Sequence, residues 1–259
     1  MIPSVLEHVQ EIAGGNRRLA VFLDYDGTLT PIVSHPEDAW LPESMQQTLR
    51  SLAARVPVAI LSGRDLDDVR GRVLVDGIVY AGSHGFDIAG PRGLQRQMAT
   101  EFLPKLDHAE KELREALDGI PGARVERKRF SIAAHYRNVE ETDVARVKRT
   151  VGEVAARHCE LRRIDGKKVY ELLPAIDWDK GEAVAWLLET LGLESRSSGI
   201  RSIYIGDDRT DEDAFRALEQ RGIGILVSEQ SQPTAASYSL REPAEVERFL
   251  RALTARLPA

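Results

Sequence analysis

Residues 19–30 read LAVFLDYDGTLT. The first five are an unbroken apolar run that ends on Asp24, Asp26 follows two positions later, and a Gly-Thr turn comes at once. A short, continuous apolar run bounded by turn chemistry suits a strand buried on both faces, as in a parallel sheet. Such a strand has no solvated face for carboxylates. Asp24 and Asp26 therefore mark the point where the chain leaves the interior.

The pattern repeats outward from there. Residues 42–55 place Met45, Leu49, Leu52 and Ala53 on one helical face. PVAILSGR (57–64) is a second apolar run, closed by Ser-Gly. DLDDVRGRV (65–73) is a short helix with Asp65 near its start, and GIVYAGSHG (77–85) is a third strand. Alternating strand and helix predicts an α/β fold with a parallel sheet.

After about residue 100 the rhythm changes. Residues 101–119 and 140–158 read as amphipathic helices. Segments 123–130, 131–137, 159–165 and 167–174 read as strands, the last two around an Asp165-Gly166 hairpin turn. The parallel pattern returns with helix 179–192, strand 200–208, helix 210–222, strand 223–227 and helix 242–257. The expected architecture is a Rossmann-like parallel-sheet core, 1–100 and 175–259, interrupted by an α+β domain at 101–174.

Composition narrows the function. The net charge of −6 argues against a nucleic-acid partner, which needs a basic surface. No run approaches the ~20 apolar residues of a membrane span, and the first residues do not read as a signal peptide. The single cysteine, Cys159, allows no internal disulfide and is expected to be half-buried. A monomeric, cytoplasmic protein is expected.

Four proposed strands end in polar groups: Asp24 with Asp26, Ser62, His84, and Asp207 with Asp208. Open α/β sheets bind ligands outside the carboxyl ends of their strands. Carboxylates gathered there repel unless a cation neutralises them, and oxygen-only donors select a hard ion such as Mg²⁺.

DYDGTLT (24–30), Ser62 in LSGR, Lys180 in DWDKG and GDDRTDED (206–213) resemble, in order, the four motifs of the haloacid dehalogenase-like phosphohydrolases. The resemblance implies that Asp24 is the nucleophile and Asp26 the acid–base group, its pKa raised by crowding carboxylates. It implies that Asp24, the Asp26 carbonyl and Asp207 hold Mg²⁺, with Asp208 and Asp211 orienting ligands. Lys180 and Ser62 would neutralise and bind the phosphoryl group.

AGSHGFD (81–87), VERKRFSIAAHYRNV (125–139) and GKKVYELLPAIDWDKG (166–181) further resemble the trehalose-6-phosphate phosphatases. That likeness implies a sugar-phosphate substrate, a cap formed by the insert, and substrate contacts from Lys128 and Glu171. Arg64, His84, His135 and Arg137 lie in matching motifs. One departure is Leu173, where relatives carry a basic residue. It leaves open a sucrose-, glucosylglycerol- or mannosylglycerate-type ester, and a non-catalytic sugar-phosphate-binding protein is a third alternative.

Overall fold

The computed structural model describes residues 2–14, 18–193 and 200–258. After a short helix α1 (Val9–Ala13) the chain enters β1 (Arg18–Leu23), whose last five residues are all buried. It continues through α2 (Glu43–Ala53), β2 (Val58–Leu61), α3 (Leu66–Val73), β3 (Val79–Gly82), β4 (Asp87–Ala89) and β5 (Gln95–Gln97). The insert follows, with α4 (Leu103–Leu117), β6 (Arg124–Lys128), β7 (Ser131–His135), α5 (Glu141–Arg157), β8 (Leu161–Gly166) and β9 (Val169–Pro174). The chain returns as α6 (Lys180–Thr190), β10 (Ile200–Gly206), α7 (Asp211–Leu218), β11 (Gly222–Val227), β12 (Tyr238–Leu240) and α8 (Pro243–Thr254).

Two units result, Met1–Arg96 with Trp178–Ala259, and Gln97–Asp177. These boundaries lie three to four residues outside those read from the sequence. The first unit holds one sheet in the order β12-β11-β10-β1-β2-β3-β4-β5. From β12 to β3 neighbouring strands are parallel, and β4 runs antiparallel to β3. The chain winds from β1 towards β3 in one direction and from β10 towards β12 in the other. The order therefore reverses between β1 and β10, and the crevice outside the carboxyl ends of such a pair is where α/β sheets bind ligands. Leu23 of β1 stands opposite Ile205 of β10, and the Asp24 N–H donates to the Ile205 carbonyl at 2.9 Å.

The inserted unit is a four-stranded antiparallel sheet, β6-β7-β9-β8, backed by α4 and α5. Helix spacing places Leu106, Ala109, Leu113 and Leu117 of α4 and Val147, Val151 and Val154 of α5 in its core. Strand alternation sends Ile132, Ala134, Tyr170 and Leu172 into the same core. The opposite sheet face carries the odd members of the alternation, among them Ser131, Ala133 and Glu171.

Several expectations are corrected. The β8–β9 turn is Lys167-Lys168, because Gly166 pairs with Val169 and Asp165 with Tyr170; Lys168 takes the left-handed conformation (φ 66°). Cys159 is exposed. The strand expected over 77–85 stops at Gly82, where a tight 3-10 turn begins. The three-residue strands β4, β5 and β12 are too short for a periodic signal. Among the described residues no helix is long and apolar enough to cross a membrane.

In the insert, His135 Nε2 lies 2.7 Å from Glu126 Oε2, across the β6–β7 pair. That hydrogen bond, with Lys128 nearby, outweighs partial burial and lowers the Glu126 pKa from its ordinary 4.5 to about 2. A depressed carboxylate pKa stabilises the fold above the unfolded value, and the contribution is lost as pH falls through the folded value. The Glu126 side chain is 35% exposed, so the effect is modest. Glu126→Gln is expected to lower the urea midpoint at pH 7. The difference from the parent should shrink below pH 4.5 and vanish near 2. A pH-independent difference would contradict this pairing.

Candidate active site

The site forms at the reversal of strand order. Asp24 follows β1, Asp207 follows β10, Asp211 opens α7 and Lys180 opens α6; all four side chains are buried. One carboxylate oxygen from each of Asp24, Asp207 and Asp211 can be chosen so that all three lie within 4.8 Å of one another. Two like charges about 4 Å apart repel by about 4 kcal/mol at an effective dielectric near 20. Lys180 answers part of this. Its Nζ donates to Asp24 Oδ1 at 2.6 Å and to Asp211 Oδ1 at 2.7 Å.

A cation at a helix N-terminus opposes the helix dipole. Asp179 satisfies that terminus by accepting from the Glu182 N–H, and the two carboxylates hold Lys180 charged. Burial alone would lower its pKa, but Asp211 and Asp24 outweigh burial and raise it well above the ordinary value. Burial also pushes Asp24 well up, with Asp211 and Asp207 adding to the effect and Lys180 opposing it.

Asp211 is saturated. Its Oδ1 accepts from Lys180 and from the Tyr204 hydroxyl (2.7 Å), and its Oδ2 accepts from the Asp207 and Asp208 N–H groups at 2.9 Å. A carboxylate offers about four lone-pair sites, so these bonds occupy it. They also shape the loop that aims Asp207. Three carboxylates face one ammonium, and a divalent cation would bring the group to neutrality. Buried, oxygen-only donors suit a hard divalent ion.

Gly27 fits that assignment. It adopts φ +85°, and a Cβ there would lie 2.1 Å from Asp207 Oδ2. Only glycine lets the backbone come so close to the carboxylate.

The remaining expected residues sit as follows. Asp26 is outside the carboxylate cluster: Arg64 grips it with Nε on Oδ2 and Nη2 on Oδ1, both at 2.7 Å. The crowding expected at Asp26 thus falls on Asp24, and Asp26 has a bidentate guanidinium instead. Arg64, expected at the substrate, also bonds Asp68 (2.9 Å) and the Pro36 carbonyl (2.8 Å). The Asp208 carboxylate accepts from the Arg209 N–H. Ser62 Oγ accepts from the Arg64 N–H at 3.1 Å, and its hydroxyl hydrogen can still be given away.

His84 lies in a run of three left-handed residues, Ser83 (φ 47°), His84 (φ 58°) and Gly85 (φ 91°). The two non-glycine members cost about 1–3 kcal/mol each. Bonds from Ser83 N to the Arg64 carbonyl (2.6 Å), from Ser83 Oγ to Asp65 Oδ1 (2.9 Å) and from His84 N to the Ser62 carbonyl (2.9 Å) offset this. The His84 ring thereby lies against Gly63, where a Cβ would meet it at 2.9 Å.

In the inserted unit Lys128 Nζ and Ser131 Oγ both donate to Glu171 Oε1, at 2.8 and 2.6 Å. His135 pairs with Glu126, and Arg137 donates to the Lys167 carbonyl; Leu173 is buried. Sequence reasoning missed Tyr204 and Gly27. Tyr204 has no signal of its own in an apolar strand, whereas Gly27 was visible only as a turn residue.

A trehalose-phosphatase family profile matches residues 22–244. The chain belongs to the trehalose-phosphatase family. Trehalose-phosphate phosphatase B of Arabidopsis thaliana is 42% identical over 265 residues, which cover 97% of this chain and 71% of the relative. The solved C-terminal domain of C. albicans trehalose-6-phosphate phosphatase superposes with a TM-score of 0.80 at 23% identity, over 98% of each chain. A haloacid dehalogenase-like hydrolase from Bacteroides thetaiotaomicron gives 0.63 at 16% identity, over 91% of this chain and 99% of the other. Both likenesses concern the fold, which is that of the haloacid dehalogenase-like hydrolases. Members of the trehalose-phosphatase family are phosphoric monoester hydrolases, and so is this chain.

Gly27→Ala is expected to move Asp207 and to cut divalent-cation affinity by about tenfold or more. Calorimetric titration of the folded variant measures this. Unchanged affinity would place the cation elsewhere.

Proposed function

We propose that this chain hydrolyses trehalose 6-phosphate to trehalose and inorganic phosphate, using Mg²⁺ and an aspartyl-phosphate intermediate. The observation that carries the reading is the buried Asp24–Lys180 pair beside Asp207, at the sheet's order reversal, in a member of the trehalose-phosphatase family.

Asp24, Asp207 and the Asp26 backbone carbonyl would hold the ion, which supplies charge neutralisation at phosphate oxygens when bound. Asp211, already saturated, acts on Asp207 by shaping its loop. Asp24 attacks phosphorus, forming an O–P bond while the bond from phosphorus to the sugar oxygen breaks. Asp26 gives that oxygen a proton. It later takes one from the water that attacks the same phosphorus and releases Asp24. Arg64 orients Asp26 with its fork. Lys180 neutralises charge shared between Asp24 and the phosphoryl group, and Ser62 donates to a phosphate oxygen.

The inserted unit serves as a specificity cap. Lys128 and Glu171 form a charged pair, and charged donors and acceptors bond sugar hydroxyls well. His84 braces the Ser62-Gly63 loop. Mg²⁺ is favoured over softer metals because the donors are all oxygen. The substrate is a small molecule handled by a monomer; the single, free cysteine supports a cytoplasmic setting and the acidic net charge supports the absence of a nucleic-acid partner. Leu173 supports a second reading, a different sugar phosphate, because it places an apolar group two residues from Glu171.

Phosphate release from a panel of sugar phosphates decides between the two. The fastest turnover is expected on trehalose 6-phosphate, and a better rate on a sucrose- or glucosylglycerol-type ester would favour the second. Glu171→Ala is expected to raise KM for the disaccharide ester about tenfold or more, with little change for 4-nitrophenyl phosphate. Equal effects on both would remove Glu171 from sugar recognition. Asp24→Asn should abolish turnover on every ester while the protein stays folded; retained turnover would remove Asp24 as the nucleophile.

A further inference from the structure

Arg96 and Trp178 are the residues of the first unit that bound the insertion, one just before it and one just after. They meet. The Arg96 Cζ lies 5.0 Å from the centroid of the Trp178 ring and 4.7 Å from that of Trp186. A guanidinium within about 6 Å of an indole face is held by the ring quadrupole, and more strongly where water is excluded. Trp178 is buried, and its Nε1–H donates to the Gly85 carbonyl at 2.9 Å.

Both rings belong to the segment that carries Lys180. Trp178 lies two residues before it and Trp186 lies on the helix it opens. Gly85 belongs to the strained turn that seats His84 against Gly63. It also packs against this helix, since a Cβ at Gly85 would lie 2.5 Å from Ala183 Cβ.

We propose that Arg96 is a positioning residue that acts through Trp178 and Trp186. It clamps the two points where the first unit is interrupted and so fixes the start of α6, and with it the Lys180 ammonium on Asp24. The need follows from topology. The segment bearing Lys180 is joined on its N-terminal side to the insert, so without a clamp any movement there would pass directly into α6. A displacement of about 1 Å at such a group costs up to about a hundredfold in rate. The proposal rests on the role given above to Lys180.

The test compares Arg96→Ala, Arg96→Lys and Lys180→Ala with the parent protein on trehalose 6-phosphate and 4-nitrophenyl phosphate. Tryptophan emission is recorded for each. Arg96→Ala is expected to shift the emission and lower kcat about tenfold on both esters, with KM within about twofold, because Lys180 acts on the phosphoryl group they share. Arg96→Lys keeps a cation between the rings and should recover most of the loss. A shifted emission with unchanged kcat, or equal losses in the two Arg96 variants, overturns the clamp. If Arg96→Ala does not fold, Arg96→Lys alone decides: kcat near the parent's supports the clamp, and a tenfold loss overturns it. Lys180→Ala separates the two claims. Full turnover by that variant removes the role of Lys180 itself, while its inactivity beside a fully active Arg96→Ala removes only the clamp.

Discussion

One buried ammonium makes this site possible. Lys180 shares its charge between Asp24 and Asp211, and without it three carboxylates would face one another in a dry crevice. Removing one partner from a buried charged group is far more damaging than its net contribution suggests, because the others are left uncompensated. Asp211, Tyr204 and the 207–208 backbone form the rest of the frame, and Gly27 permits the close approach the frame requires. The proton balance of Asp24 is set by burial before any neighbour acts. A group so placed is useful as a nucleophile only with added positive charge, which links the cation to the chemistry.

The fold serves that arrangement directly. β1 and β10 run parallel, but the order in which the chain adds strands reverses between them, so the loops after these strands diverge and leave a crevice. Leu23, the last residue of β1, pairs with Ile205, the last but one of β10, so Asp24 and Asp207 leave the sheet from neighbouring rigid strands. Sites built on element ends in this way are more precise than sites on long loops. Strain beside the site lies in the Ser83–Gly85 turn, where local hydrogen bonds offset it.

Much of this was legible in the sequence, for physical reasons. The apolar run ahead of Asp24 has a single comfortable home, a strand covered on both faces. Helix spacing in 101–119 and 140–158 likewise leaves one apolar stripe to bury. Motif order then points to Lys180 and Asp207 beside Asp24, and the structure brings Lys180 onto Asp24 and Asp207 close to it. What escaped depends on partners distant in the chain. Asp26 and Arg64 are 38 residues apart, and nothing local announces their fork. Tyr204 sits among apolar strand residues, and only the fold shows its hydroxyl on Asp211. Asp165-Gly166 has the stronger local turn chemistry, but strand register puts the turn at Lys167-Lys168. Cross-strand geometry likewise sets the partners of the insert's polar residues: Lys128 pairs with Glu171, and His135 hydrogen-bonds Glu126.

The central claim is that Asp24 itself accepts the phosphoryl group. Acid-quenching the enzyme during turnover with Mg²⁺, reducing acyl phosphates with borohydride and mapping the modified peptide by mass spectrometry tests it directly. The account predicts a single conversion of aspartate to homoserine, at residue 24, that disappears when the divalent cation is chelated. A conversion at another residue, or none while turnover proceeds, would contradict it.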